Sequence, residues 1–291
     1  MPNTLMDLAA WMAARLPLSA KRALYQMGPF SRMVRNALNR AAPSGLSTIE
    51  VAGGGLAGCR LSLDLQSEKD YWLGTYEPDL QTVIAELVRP GMVAYDVGAN
   101  IGYISLLLAK AVGEMGHVYA FEALPDNLER LRTNLGLNSF LGDVEVVDAA
   151  VVDANRLVKF LVGPSGGMGK VDGSAGRDEF TYPTTLEVRG LSLDHFVFDL
   201  GKPIPRVIKM DIEGGEVLAF PGMLRLLTEA PPLLLIELHG EQAAKTAWQM
   251  LSGAGYRICV MAKGYALITS FEALNWKAYI VGFPPGWEQR S

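Results

Sequence analysis

Short apolar runs rich in β-branched residues alternate with stretches of helical periodicity through the middle of this chain, and few folds accept that pattern. Residues 93–97, 118–121, 144–147, 207–210 and 233–238 read as strands, and helical segments at about 100–112, 125–138, 215–229 and 241–253 lie between or after them. Strands joined through helices make crossover connections, which predict a parallel sheet covered on both faces. The tail changes character. Residues 256–261, 265–269 and 278–281 have strand composition, Lys263-Gly264 supplies a tight turn, and an antiparallel hairpin closing one edge of the sheet accounts for them. Upstream, alternation from 47 to 65 around Gly53, Gly54 and Gly55 predicts a further hairpin, and 78–88 reads as a helix with proline in its first turn. Residues 163–176 hold six glycines among fourteen, so a lid, a substrate loop or a plain surface insertion is expected there.

The glycine turn 95–102, Tyr-Asp-Val-Gly-Ala-Asn-Ile-Gly, stands directly after the first of those strands and before a leucine-rich helix. Glycine there lets a ligand approach the backbone at the carboxyl edge of the sheet, where open α/β folds bind nucleotides. The spacing departs from the dinucleotide cradle G-x-G-x-x-G, because Asn100 occupies the second glycine position. Asp96, at the strand end, would repel a pyrophosphate but favour an amino group or a sulfonium. Glu122 ends the second strand, where an acid can accept hydrogen bonds from a ribose diol. S-adenosylmethionine combines a ribose, an adenine and an ammonium group with no phosphate, and so suits both acids.

These residues resemble those of class I S-adenosylmethionine-dependent methyltransferases, and within that group the FkbM family. The likeness rests on 95–103 (YDVGANIGY), Ala120-Phe121-Glu122, 126–138 with Asn134 and Asn138, 208–216 (IKMDIEGGE) and 236–239 (IELH), and it covers residues 71 to about 283. The proline usual after the second-strand acid is displaced to Pro125, and the common Thr-Leu-Asp appears as Ser192-Leu193-Asp194. The resemblance implies a Rossmann-like fold, a mostly parallel seven-stranded sheet with an antiparallel C-terminal hairpin. Three segments follow: a basic helical extension over 1–45, a hairpin and helix over 46–90, and the cofactor-binding domain over 91–291. The resemblance also implies that Asp96, Gly98, Asn100 and Gly102 hold the methionine portion of the cofactor and Glu122 its ribose. Asp148 and Ala149 would lie beside the adenine, with Asp211, Tyr76 and Glu77 near the cofactor. Plainer roles exist, since Asp148 can cap a turn and Tyr76 and Glu77 can stand in an exposed loop.

Asp211 ends the fourth strand, beside the first strand in this topology, and Glu213 follows it. Glu237 and His239 lie two apart at the end of the fifth strand, so an extended backbone puts them on one face. Asp211, Glu237 and His239 are therefore expected to converge on the transferring methyl. Methyl transfer is accelerated by alignment of donor and acceptor, and an alcohol acceptor must also lose its proton. His239, with an ordinary pKa of about 6.5, is the expected general base, oriented or replaced by Asp211 or Glu237. The same three side chains suit a divalent metal without specifying one, and the metal-free role is preferred. Bracing of the strand end is the plainer alternative; His117 and His195 read as structural. The expected activity is O-methylation of a hydroxyl on a glycan or a secondary metabolite, the acceptor class following from the resemblance alone. A nicotinamide-dependent oxidoreductase needs glycine at Asn100. A non-catalytic interaction module with this fold has no need of Asp96, Glu122 and Asp211.

With 291 residues, 49% of them hydrophobic, the chain can bury a large core and lacks the signature of disorder. Its formal net charge of -5 argues against a general nucleic-acid partner, but the average conceals a split. Residues 1–45 carry six basic residues against the one acid Asp7. Leu5, Leu8, Ala9, Met12 and Leu16 recur at helical spacing, and Pro17, Pro29 and Pro43 punctuate three short amphipathic helices. These are expected to pack on the main domain or in a homodimer, or to contact a membrane surface through Trp11, Met12, Phe30 and Met33. Cys59 and Cys259 are too few for a disulfide framework. With neither a secretory signal nor a spanning run, a cytoplasmic protein, or one resting on a membrane, is expected.

Overall fold

The computed structural model describes residues 4–16, 33, 38, 40–42, 44–138, 143–163, 169–176, 181–274 and 277–287. Contacts divide the chain into two units, Met1–Thr82 with Thr133–Phe140, and Val83–Arg132 with Leu141–Ser291. No helix among the described residues is long and apolar enough to cross a membrane.

The first unit opens with α1 (Thr4–Arg15), which exposes Trp11 and Met12 and lays the Arg15 guanidinium over the Trp11 ring. The second and third expected helices, and Phe30, fall largely outside the described residues. Strands β1 (Leu46–Glu50) and β2 (Arg60–Asp64) then pair antiparallel, Leu46 opposite Asp64, as the alternation predicts. They are followed by α2 (Lys69–Leu73) and the start of α3 (Pro78–Leu87). Asn138 acts here as a substitute strand: its Oδ1 accepts from Arg60 N–H at 2.9 Å and its Nδ2 donates to the Arg60 carbonyl at 2.6 Å. Asn134 Oδ1 accepts from Ser62 N–H at 2.7 Å. Two buried amides thus satisfy the free edge of β2, a need that any buried backbone edge must meet. Asn134 and Asn138 of the 126–138 motif are structural in this unit.

The second unit is built on a seven-stranded sheet. Strand β3 (Val93–Val97) leads to α4 (Tyr103–Val112), β4 (His117–Glu122), α5 (Pro125–Gly136) and β5 (Asp143–Asp148). Later come β10 (Val207–Met210), β11 (Leu233–His239), α8 (Glu241–Gly253), β12 (Arg257–Val260) and β13 (Lys277–Phe283). The order is β12-β13-β11-β10-β3-β4-β5, with β13 antiparallel to both its neighbours and the other contacts parallel. The expected antiparallel hairpin is therefore inserted, β13 lying between β11 and β12. Residues 265–269 form no strand: a single bridge joins Leu267 to Cys259, beyond a turn in which Tyr265 N–H donates to the Ala262 carbonyl. The helical stretch 215–229 is broken at Pro221 into α6 (Glu216–Ala219), a 3-10 turn and α7 (Leu224–Glu229), because proline cannot donate to the preceding turn.

A second sheet, β6-β9-β7-β8, was not expected. It consists of β6 (Ala150–Val151), β7 (Leu157–Val162), β8 (Lys170–Val171) and β9 (Thr184–Leu191), and it buries Val158, Phe160, Val171 and Val188 against Leu124 and Val152. The larger core is aromatic. Phe196 stands 5.1–5.6 Å from the ring centres of Tyr95, Tyr119 and Phe121, and Tyr95 Oη donates to the Pro203 carbonyl at 2.7 Å.

Replacing Asn138 by alanine strips both backbone groups of Arg60 of their partner. The expected loss is about 1–3 kcal/mol in urea unfolding, the net worth of two hydrogen bonds at a part-buried strand edge. An unchanged midpoint would show that water serves that edge equally well.

Candidate cofactor and methyl-transfer site

In an open parallel sheet the crevice forms where the strand order reverses. Here that point lies between β3 and β10, whose registers pair Asp96 with Lys209 and Val97 with Met210. The glycine turn after β3 is fastened from two sides. On the β4 side, Gly98 and Ala99 N–H both donate to the Phe121 carbonyl, at 3.0 and 2.9 Å, and Asn100 N–H donates to Glu122 Oε2 at 2.8 Å. On the β10 side, Lys209 Nζ donates to the Gly98 carbonyl at 2.9 Å and lies 3.2 Å from Asp96 Oδ1. Ser105 Oγ donates to the other Asp96 oxygen at 2.6 Å. Gly98 is required: with φ at 80°, a Cβ there would stand 2.0 Å from the Asp211 carbonyl oxygen.

Asp96 is fully buried, and its carboxylate faces Lys209 and Ser105. Gly98 and Asn100 lie at the turn, Asn100 in the left-handed region at φ 50°, and Gly102 (φ 92°) leads into α4 over Leu131. Glu122 sits at the carboxyl end of β4, opposite Asp148 in register. Its carboxylate accepts from the N–H groups of Asn100, Ala123 and Leu124, each at 2.8 Å, and from the Asn127 side chain. Burial raises its pKa, and these four donors work in the opposite direction. A carboxylate has about four lone-pair sites, and these four donors are enough to fill them. Asp148 is exposed, 3.9 Å from Arg132, while Ala149 is buried with its N–H on the Glu122 carbonyl. Tyr76 and Glu77 belong to the first unit, just before α3; Tyr76 packs on Tyr71 and Glu77 has a φ of 41°.

The three residues expected to converge do so. Asp211 follows β10, Glu237 and His239 end β11, and their ligand-capable atoms all lie within 4.8 Å of one another. Two more acids join them. His239 is 1% exposed, with Nε2 3.0 Å from Glu237 Oε1 and 3.8 Å from Glu213 Oε2. Its Nδ1 is 3.8 Å from Asp211 Oδ1 and 4.0 Å from Glu216 Oε1. Burial pulls the imidazole's pKa down, but contacts with Glu216 and Glu237 and the charges of Asp211 and Glu213 outweigh it and push it up to about 10. Burial likewise works to raise Glu237, yet His239 and the Lys277 ammonium on Glu237 Oε1 bring it down to about 2. Burial raises Glu216, whose side chain is wholly enclosed. These acids hold the imidazole's pKa above its ordinary value against the lowering effect of burial, which makes it a poor base acting alone.

The end of the glycine-rich stretch meets the turn that follows Asp211. Ala175 N–H donates to the Gly214 carbonyl at 2.9 Å, and a Cβ on Gly214 would stand 1.9 Å from the Ala175 carbonyl oxygen. The turn after Asp211 and residues 175–176 therefore touch backbone to backbone. Lys209, Glu216 and Lys277 received no role from the sequence, although the first two stand within the 208–216 motif. Lys209 carried a signal, a lone charge inside an apolar strand, which rarely survives burial without a partner; Glu216 and Lys277 depend on tertiary placement.

The strand order, the fastened glycine turn and the acids around the crevice define a class I α/β methyltransferase. The methyltransferase FkbM domain model matches residues 96–258, more than half of the chain, and the protein belongs to that family. Its methyl donor is S-adenosylmethionine. The hexuronic acid methyltransferase AglP of Haloferax volcanii is 25% identical over 190 residues, covering 61% of this chain and 69% of that protein. A protein-L-isoaspartate O-methyltransferase of Aeropyrum pernix is 48% identical over 59 residues, 20% of this chain and 23% of its own. A solved FkbM methyltransferase from Methylobacillus flagellatus KT aligns with a TM-score of 0.42 at 18% identity, covering 75% of this chain and 53% of that one. The chain thus spans about half the length of that solved relative.

Removing one member of a buried ion pair leaves the other charge stranded, at a cost of about 3–5 kcal/mol. Lys209→Met should lose stability on that scale in urea unfolding, and adding Asp96→Asn should restore part of it. Strict additivity of the two substitutions would show that the pair is not coupled.

Proposed function

We propose that the protein is an O-methyltransferase whose acceptor is a hydroxyl on a glycan or a related small molecule. The observation that carries this reading is the convergence of Asp211, Glu237 and His239 at the carboxyl ends of β10 and β11, immediately beside the glycine turn. The chemistry of the donor set fits S-adenosylmethionine: the turn 98–102 carries no lysine or arginine to hold a phosphate, and Lys209, the ammonium beneath it, is buried and engaged. When bound, that cofactor supplies an activated methyl on a sulfonium. In this reading Gly98 and Gly102 present bare backbone and Asn100 its side chain to the methionine portion, with Asp96 holding the turn from below. Glu122 receives the ribose, and Asp148 and Ala149 flank the adenine.

The chain's own catalytic work is then positioning and proton handling. Asp211 and Glu213, the partly exposed acids of the cluster, face the acceptor side. His239, Glu216 and Glu237 support them from the interior. The acceptor's proton passes to the cluster as a whole rather than to an isolated imidazole. The sugar-directed reading draws on the likeness to a hexuronic acid methyltransferase. A carboxylate acceptor is a distinct alternative, since it arrives already ionised and needs no base.

Incubation with labelled S-adenosylmethionine and uronic-acid or neutral glycans tests the reading through the bond formed. An ether-linked methyl that withstands mild alkali is expected; an alkali-labile methyl ester would overturn the hydroxyl assignment. In the same assay His239→Ala should lower turnover by about 10²-fold or more, the scale of acid–base contributions, with the KM for the cofactor nearly unchanged. Equal turnover would remove His239 from the mechanism.

For residues 1–45, contact with a membrane surface is proposed from the basic composition and the exposed Trp11, Met12 and Met33. Vesicles containing anionic lipid should sediment the protein, and Trp11→Ala with Met12→Ala should weaken this severalfold. Failure to sediment would leave packing within the protein or in a homodimer.

A further inference from the structure

We propose that the cluster at the ends of β10 and β11 is a binding site for one divalent metal ion. His239 Nδ1 and the Asp211 carboxylate are its direct ligands, Glu216 is the inner carboxylate, and Glu237 fixes the imidazole. The ion's role in catalysis rests on the methyltransferase reading, whereas its binding does not.

The orphaned atoms carry the inference. Glu237 is an acceptor toward His239, so Nε2 holds the hydrogen of the 3.0 Å contact and the other ring nitrogen faces the cluster. That nitrogen, Nδ1, is buried with no hydrogen-bond partner, and so is Glu216 Oε2 in a residue with no exposed surface. Buried polar atoms without partners are costly and rare. Nδ1 stands 3.8 Å from Asp211 Oδ1 and 4.0 Å from Glu216 Oε1, too long for hydrogen bonds. Those separations match ligands that share an ion, because donors bound at about 2.0–2.2 Å stand about 3–4 Å from each other.

Charge and support agree. Four carboxylates, those of Asp211, Glu213, Glu216 and Glu237, surround the imidazole, and among the described ion pairs only Lys277 adds a lysine charge, on Glu237. A carboxylate on the far nitrogen is the usual orienting partner of a metal-bound histidine. That places Glu237, already engaged by Lys277, behind the ring. Asp211 and Glu213 retain 19% and 28% side-chain exposure, which leaves coordination positions open toward the acceptor side. One imidazole among carboxylate oxygens suits a harder divalent ion of the Mn²⁺ or Mg²⁺ type. Bound there, it would hold the acceptor oxygen and favour its ionised form.

The test is a titration of the full chain with Mn²⁺, following free Mn²⁺ by electron paramagnetic resonance, with S-adenosylhomocysteine binding measured on the same preparation. One Mn²⁺ per chain is expected, displaced by excess Mg²⁺, with at least tenfold weaker binding in Asp211→Asn and in His239→Gln. Protein that binds S-adenosylhomocysteine but shows no saturable Mn²⁺ binding overturns the metal site and leaves the methyltransferase reading intact. Protein that binds Mn²⁺ alone does the reverse, and binding of neither overturns both. Unchanged Mn²⁺ affinity in the two variants also overturns the site. Should a variant fail to fold, spin-echo spectra of Mn²⁺ on wild-type protein with ¹⁵N-labelled histidine decide: a nitrogen coupling that follows the label supports a histidine ligand, and its absence overturns one.

Discussion

Lys209 occupies the centre of a sheet where water cannot reach it, and its ammonium is shared between the Asp96 carboxylate and the Gly98 carbonyl. That clasp joins β3 to β10 at the one place where the order of the sheet reverses. It holds the glycine turn at a fixed height above the strands, while Glu122 holds its far side from β4. The course of the turn is fixed jointly by this buried charge, by the hydrogen bonds of Gly98 and Ala99 to the Phe121 carbonyl and by burial of Ala99 and Ile101. The Lys209 ammonium is thereby engaged beneath the turn and is not offered to the crevice.

The second half of the site follows from the same juxtaposition. Because β10 lies between β3 and β11, the ends of all three strands open onto one edge, and Asp211 meets Glu237 and His239 there. Four carboxylates around one enclosed imidazole form an arrangement that a neutral interior does not favour. Mutual attraction between the acids and the ring offsets part of the desolvation, and Lys277 offsets another part at Glu237. Two buried atoms are left without hydrogen-bond partners, Glu216 Oε2 and His239 Nδ1, the latter 3.8 Å from Asp211 Oδ1 on the ring's other side from Glu237.

Much of this was legible in the sequence because it rests on local pattern. The strands at 93–97 and 207–210 and the helix at 241–253 fall where apolar periodicity puts them, and the convergence of Asp211 with Glu237 and His239 follows from strand parity and topology. What was not legible depends on contacts between distant segments. The second sheet escaped notice since its strands are interrupted by the glycine-rich stretch, which masks alternation in Leu157–Val162 and Thr184–Leu191. Asp96 looked like a ligand group at a strand end, and only its neighbours across the sheet reveal that its carboxylate points inward. The raised pKa of His239 was likewise hidden, for against the lowering effect of burial it rests first on contacts with Glu216 and Glu237, which only the folded chain brings to the ring.

A glycine turn fastened by acids and a buried lysine should select a sulfonium nucleotide over a dinucleotide. Calorimetric titration of the full chain with S-adenosylmethionine and, separately, with NAD measures that preference. Saturable binding of one S-adenosylmethionine per chain, with no heat from NAD, is the predicted result. Binding of NAD, or no binding of S-adenosylmethionine by folded protein, would contradict it.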